Sequence, residues 1–406
     1  MILSIAWKNI WRNKQRSLVV IFSIVLGLVG GTFSAAFVFG MVNQKINASI
    51  NKEVSYIQIH NPKYLENNEI QYSIDKPEII LSFIRGIPGV KAVTERTKTP
   101  GMINHSSTSL GVQIVGIDTD TEKKVTTIHQ SICDSCGKYF EGVKKNPIII
   151  SQKLADKLNA KLFSKIVLQF PKTDGTIQLE AFKISGIFKT SNTNFDLMNV
   201  FVRNKDLADS SGQFFKTHEI AVLLNNNDSL IQITSLLRTK YPQLSVQTWE
   251  ELQPELALFE DVSGIEMYII LGIILFALAF GIINTMLMVV FERVRELGML
   301  MAIGMNKLRV FKMIMLETVM LTLTGGFIGM IISWILIVIL GKHGLDLSVI
   351  SKGMEAFGLD AVIYPTISLG YYFKLTTMII ITGLLASIYP ARKALKLDPA
   401  EAIREE

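Results

Sequence analysis

The chain has few of the residue types that carry catalysis or metal binding. Its 406 residues include two cysteines and five histidines. The histidines, His60, His105, His129, His218 and His343, share no spacing suited to a metal site. A lone pair of cysteines cannot complete a four-ligand zinc site. No Ser-His-acid or Cys-His arrangement can be argued from the sequence, and no G-x-x-x-x-G-K-[ST] phosphate loop is present. Gly186 to Thr190, GIFKT, has a superficial likeness to one but lacks the first glycine at the required distance. Charge is scarce as well: 19% of residues are charged against 49% hydrophobic, too apolar for an ordinary soluble protein.

Charge is missing altogether from three long runs, Ser17 to Gln44, Met267 to Phe291 and Thr318 to Gly341. Each exceeds the roughly 20 helical residues that cross a hydrocarbon core. A fourth run, Leu375 to Ala391, reaches that length when Tyr371, Tyr372 and Phe373 are counted as its interfacial belt. These runs predict four transmembrane helices, at 17–42, 265–291, 307–341 and 370–391. Basic residues cluster before the first span (Lys8, Arg12, Lys14, Arg16), between the second and third (Arg293, Arg295, Lys307, Arg309, Lys312) and after the fourth (Arg392, Lys393, Lys396, Arg404). The positive-inside rule makes all three groups cytoplasmic. The expected layout is therefore a membrane protein of one plus three helices, with both termini inside, 43–264 and a loop at 342–369 outside, and a cytoplasmic tail at 392–406. These anchors account for the net charge of +6, so it gives no reason to invoke nucleic acid.

Before the first span, Leu3, Ala6, Trp7, Ile10 and Trp11 recur at helical spacing opposite Lys8, Asn9, Arg12 and Asn13, which predicts an amphipathic interfacial helix over 1–16. A secretory signal is the competing reading, but its apolar region is only about 7–15 residues long. Gly27 and Gly31 form a small-xxx-small pair that lets two helices approach closely, either within the chain or in a dimer. Gly325 and Gly329 repeat the pattern, with Gly326 beside them. Two acids lie near span ends, Glu266 and Glu317. Intramembrane acids are functional by default, and the alternative for Glu317 is a structural ion pair with Arg293, Arg309 or Lys312.

The outer region is long enough for a folded core. Tyr56 to His60 and Gly111 to Ile117 read as strands; Glu78 to Ile87 reads as a helix ending at Pro88-Gly89 before a strand at Val90 to Val93. A similar unit returns as a helix at Leu230 to Leu237 and a strand at Leu244 to Trp249. Between them, 101–216 is richer in short β runs: Pro147 to Ile150, Ile166 to Phe170, Thr176 to Leu179, Phe182 to Ile187 and Asn199 to Val202, with a helix at Ser151 to Leu158. The expected fold is a large mixed α/β extracytoplasmic domain carrying an inserted β-rich lobe. Cys133 and Cys136, in CDSCG, suit a small-loop disulfide on that exterior; a reduced pair and a redox or metal half-site are the alternatives.

The join between the second and third spans, 292–306, mixes charge with apolar residues. Glu292, Arg293, Arg295 and Glu296 open a short helix continued by Leu297, Gly298, Met299, Leu300, Met301 and Ile303. Gly304 suits its left-handed end and Asn306 the cap of the next helix. Its charges exclude the bilayer interior. Two readings stand: a helix that docks into a groove on a soluble partner, and an interfacial helix lining the lipid boundary.

RELGMLMAIGMNKLRVFKMIMLE with Gly325-Gly326 and Gly329, the closing YPARKALKLDPAEAI and the opening AWKNIWRNKQRS resemble the FtsX-like permease domain of MacB-type ABC transporters. IPGVKAV, IIISQKLADKL and SGIFKTSNTNFDLMNVFV are more similar to the lipoprotein-releasing LolC and LolE branch. The resemblance implies a MacB-like periplasmic core domain in the bacterial inner membrane. It also implies that Glu292 to Gly304 is the coupling helix that docks on an ATPase, with Arg295, Glu296, Gly298 and Gly304 matching the motif. The implied assembly contains two copies of a cytoplasmic ATPase subunit that use ATP and Mg, a second permease, identical or related, a lipoprotein or amphiphilic substrate, and a periplasmic carrier. This chain would bind no cofactor itself and would transmit motion rather than catalyse. The alternatives are export of a peptide or antibiotic amphiphile, and a signalling adapter that controls an external hydrolase.

Overall fold

A computed structural model describes residues 7, 10–12, 14–172, 175–211, 216–356 and 358–395. The chain divides into two compact units, one formed by Met1–Val42, Phe259–Asp346 and Val362–Glu406, the other by Asn43–Leu258 and Leu347–Ala361. Most of the opening amphipathic segment and the tail beyond Leu395 lie outside the described residues.

The first unit holds most of α1 (Lys14–Ser49) and α2 (Pro254–Glu292), with α3 (Val294–Ala302), α4 (Lys307–His343) and α5 (Leu369–Leu395). All but α3 are long and apolar enough to cross a membrane. The 39 residues of α2 rise about 58 Å at 1.5 Å each, against a hydrocarbon core of about 30 Å. The apolar run at 265–291 is thus only part of a helix that starts at Pro254, whose missing N–H costs nothing in a first turn. Tyr389-Pro390, which in sequence reads as the end of the fourth helix, does not end α5, which runs on to Leu395 with Pro390 buried inside it; neighbouring groups in a membrane bundle can take up the carbonyl a proline leaves free.

Small residues set the helix contacts. A Cβ built on Gly325 of α4 would lie 3.0 Å from the Ile24 Cβ of α1, and one on Gly329 would lie 3.3 Å from the Leu28 Cβ. Gly27 and Gly31 of α1 face α2 instead, 3.2 Å from Leu278 Cδ1 and 3.3 Å from Ile274 Cδ1. Both pairs are therefore occupied within this chain. Gly326 has only Ile379 near it, at 3.8 Å.

The second unit is organised on one sheet. Its strands are β1 (Ile57–His60), β2 (Val90–His105), β3 (Thr108–Ile117), β4 (Ile132–Gly137), β5 (Pro147–Ser151), β6 (Lys165–Pro171), β7 (Ile177–Phe188), β8 (Asn199–Arg203), β9 (Glu219–Leu224) and β10 (Ser245–Thr248). They run in the order β10-β1-β9-β2-β3-β8-β5-β7-β4, with β6 paired to β2 and β7. The expected inserted lobe is not a separate sheet. The pairing of β2 with β9 ends at Arg96↔Glu219, where its pairing with β3 begins, and past Pro100 and Gly101 β2 also pairs with β6. Gly101 makes this passage possible: a Cβ there would lie 2.6 Å from Ile114 Cδ1 and 2.7 Å from the Gln169 carbonyl oxygen. Thr176 to Leu179 and Phe182 to Ile187 are not two strands but one, β7. Part of the expected external loop, Leu347–Ala361, belongs to this unit. Ile103, Ile114, Ile148, Ile150, Phe170, Phe182 and Ile184 lead its main core.

Candidate functional site

The short helix α3 is ended by the local chemistry of the residues that follow it. Gly304 takes φ +101°, a conformation costly for any residue with a Cβ. The turn closes through the Gly304 N–H donating to the Met301 carbonyl at 3.1 Å and the Met305 N–H donating to the Leu300 carbonyl at 3.0 Å. The Asn306 side chain then accepts the Leu308 N–H at 3.1 Å and starts α4. The sequence between two spans is thereby folded into a helix, a sharp turn and a new helix.

Its faces divide differently from the sequence expectation. Leu297 and Gly298 are buried, Leu297 among Val290, Val310, Met313 and Ile314, with Leu300 and Met301 packed against the same cluster. These residues hold α3 on the bundle, so Leu297, Gly298 and in part Met301 are not offered to a partner as the sequence suggested. The outward face carries Arg295, Met299, Ala302, Ile303 and Gly304, with Glu292 before it. Met299 and Ile303 are 55% and 79% exposed. In sequence both stand among the apolar residues of the short helix, and the spacing 292, 295, 299, 302–303 marks them as part of one helical face.

Behind that face lies a chain of charges. Arg12 Nη2 donates to both carboxylate oxygens of Glu296 at 2.6 Å. Arg293 Nε donates to Glu296 at 3.0 Å, and Arg293 Nη1 reaches Glu317 at 3.2 and 3.3 Å. The hydrogen bonds from Arg12, joined by Arg293, hold the Glu296 carboxyl below its usual range although partial burial opposes this. A cavity of about 250 Å³ opens among Arg12, Thr285, Glu292, Arg293, Glu296 and Glu317.

The second unit holds another charged cluster. Arg96 bonds Glu122 at 2.8 and 3.1 Å and Glu219 at 2.6 Å; Lys98 also pairs with Glu219, and His60 Nε2 lies 3.7 Å from it. Arg96, Glu122 and Glu219 are nearly sealed from solvent. Burial raises the Glu219 pKa, but Lys98 and Arg96 outweigh it and push it down to about 2. The sign is that of a depressed carboxylate: the stabilisation is complete above pH 4.5 and is lost as pH falls toward 2. The shift corresponds to about 3 kcal/mol. Protection of β1, β2 and β9 against hydrogen exchange, taken relative to the intrinsic amide rate at each pH, is expected to fall between pH 4.5 and pH 3, and in a Glu219→Gln variant that Glu219-dependent fall disappears.

Cys133 and Cys136 are joined in a disulfide on the edge strand β4. Among the described residues no group of three or more histidine, cysteine or acidic side chains could hold a metal ion.

Residues 268–399 match the family model of the FtsX-like permease C-terminal. The Macrolide export ATP-binding/permease protein MacB of Shewanella oneidensis is 32% identical over 126 residues, which is 31% of this chain and 17% of that protein. The Pyoverdine export ATP-binding/permease protein PvdT of Pseudomonas entomophila is 36% identical over 126 residues, 31% of this chain and 16% of that one. The chain thus spans about a sixth of the length of the curated relatives it matches. A crystal structure of the periplasmic region of MacB from Actinobacillus actinomycetemcomitans aligns with 50% of this chain and 92% of its own, at 10% identity and a TM-score of 0.35, too low a score to argue from. The matched stretch contains the later part of α2 and all of α3, α4 and α5, and it is similar to the FtsX-like permease C-terminal.

Proposed function

We propose that this chain is the permease subunit of a MacB-type ABC transporter, set in the bacterial inner membrane with both termini cytoplasmic and the α/β unit on the outer side. The observation that carries the reading is the outward face of α3, where Met299 and Ile303 stand exposed between two apolar helices. A short helix with exposed apolar side chains and flanking charge fits a groove on a soluble partner. That partner is a cytoplasmic ATPase, present in two copies beside a second permease, identical or related; it uses ATP and Mg, and this chain passes the motion on without catalysing a reaction.

For the substrate, the likeness of the outer-unit segments to the Lol branch supports extraction and release of lipoproteins, with a periplasmic carrier to receive them. A second reading, export of an amphiphile from the periplasm, is supported by the printed names of the MacB and PvdT relatives, which are export proteins. Native-membrane purification of the tagged chain with mass spectrometry of co-eluting proteins tests both. An ATPase with acylated lipoproteins is expected; an ATPase with an outer-membrane channel and no lipoprotein moves the reading to export, and one with a cell-wall hydrolase moves it to signalling. Ile303→Asp together with Met299→Asp is expected to cut ATPase recovery at least tenfold while the chain stays in the membrane. Undiminished recovery would remove α3 as the docking element.

A further inference from the structure

We propose that Arg293 is a positioning residue that clamps α3 to α4, so that the docking helix moves as one piece with a membrane span. The proposal rests on the reading of α3 as the docking element and adds what ties it to the rest of the subunit. A helix of nine residues is too short to hold its own shape in water, and it adjoins the bundle through a short junction on one side and the Gly304 turn on the other. Force applied at Met299 and Ile303 would be dissipated at such joints unless the helix were fastened independently of them.

The buried side of α3 supplies the fastening. Leu297 anchors it by packing, which resists separation but leaves sliding and rotation cheap, since apolar contacts have no direction. Arg293 adds direction. Its planar guanidinium holds Glu296 of α3 with Nε and Glu317 of α4 with Nη1. Arg12 also donates to both oxygens of Glu296. The side chain of Glu317 is 6% exposed and that of Arg293 16%, whereas those of Arg12 and Glu296 are 54% and 45% exposed. The inner pair is therefore the stiff part and the outer pair a solvent-weakened addition.

Placement of Glu317 argues for position over stability. It lies ten residues, about 15 Å, into α4, amid the apolar residues Met313, Ile314 and Leu321. A buried ion pair costs about as much in lost hydration as its attraction returns, so an apolar pair would hold the bundle equally well. What the ion pair supplies beyond that is a single geometry. Lysine could not reproduce it, because a point charge lacks the fork that holds two carboxylates at fixed angles.

The test uses the full chain in lipid nanodiscs. Its only cysteines are bonded to each other, so nitroxide labels can be placed at Ile303→Cys, the residue that caps the end of α3, and Leu323→Cys on α4, both exposed positions. A narrow distance distribution is expected from pulsed dipolar spectroscopy. Arg293→Gln alone strands the Glu317 charge and risks misfolding, so the decisive variant is Arg293→Gln with Glu317→Gln, which leaves no buried charge behind. Its distribution is expected to widen at least twofold, while a second label pair, Leu18→Cys with Leu323→Cys across α1 and α4, keeps its width. An unchanged 303–323 distribution overturns the clamp. So does equal widening of both pairs, which would make the ion pair a support of the whole bundle. The measurement needs no ATPase, so a chain that recovers none would sink the docking role and leave the result on the clamp standing.

Discussion

Replacing Arg96 by methionine is expected to unfold the outer sheet from its centre. The guanidinium is the shared partner of Glu122 and Glu219, which are 1% and 0% exposed. Methionine fills much of the same volume and removes all of the charge. Lys98 remains beside Glu219, but Glu122 is left without its cation and accepts only the Thr126 hydroxyl at 3.1 Å. Breaking a buried ion pair from one side costs about 3–5 kcal/mol, a large share of the 5–15 kcal/mol that separates a typical folded domain from its unfolded chain. Arg96 also lies at the last register pair joining β2 to β9, where the chain leaves for six further strands. Loss there uncouples β1, β9 and β10 from the rest. Limited proteolysis of the membrane-embedded protein should show cleavage of residues 43–258 accelerated at least a hundredfold, with the apolar helices intact. The triple variant Arg96→Met, Glu122→Gln, Glu219→Gln should recover most of the resistance, because it removes the stranded charges as well. Equal sensitivity of the single and triple variants would show that packing around Arg96, and not its charge, holds the sheet.

Neither the cluster nor its importance could be read along the chain, because Arg96 and Glu219 are separated by 123 residues. EIAVLL, residues 219–224, carries no strand in the sequence reading, and only the register that places Glu219 opposite Arg96 makes it a core residue. Strand β9 itself is buried at every position and so shows none of the alternation that marks a half-exposed strand. By contrast, the apolar runs were legible because lipid demands an uninterrupted stretch, and Gly304 and Asn306 were legible because a left-handed helix end and an N-cap are local chemistry. The direction in which α3 faces was only half legible. The motif includes Gly298, which packs inward beside Leu297, whereas the outward Met299 and Ile303 look in sequence like more of the same apolar helix. The helix ends beyond the lipid were missed for a related reason: hydropathy reports where the bilayer stops, and α2 continues past it on a polar sequence from Pro254.

A substitution series at the membrane glycines is expected to follow the stiffness of what each glycine touches. Gly325→Leu should be the most damaging. A Cβ there already sits 3.0 Å from Ile24 Cβ and Cγ2 and 3.3 Å from the Ile21 carbonyl oxygen. Those atoms belong to the frame of α1, so relief requires the helix to move. Gly329→Leu comes next, against the Leu28 Cβ and the Val25 Cα, both at 3.3 Å. Gly31→Leu should be milder, since it meets Ile274 Cδ1, the far end of a side chain that can change rotamer. Gly326→Ala should be close to neutral, with Ile379 at ordinary contact distance. Overpacking of a well-filled interface costs about 1–3 kcal/mol, and here the loss of helix approach adds to it because small residues supply much of the packing in a bilayer. Thermal aggregation of the detergent-purified protein should therefore rank the variants Gly325→Leu, Gly329→Leu, Gly31→Leu, Gly326→Ala from least to most stable. The order matters more than the size. If Gly31→Leu were the worst and Gly325→Leu tolerated, the α1 glycines would be serving a contact with another chain, and the close approach of α1 to α4 would not be what holds the four helices together.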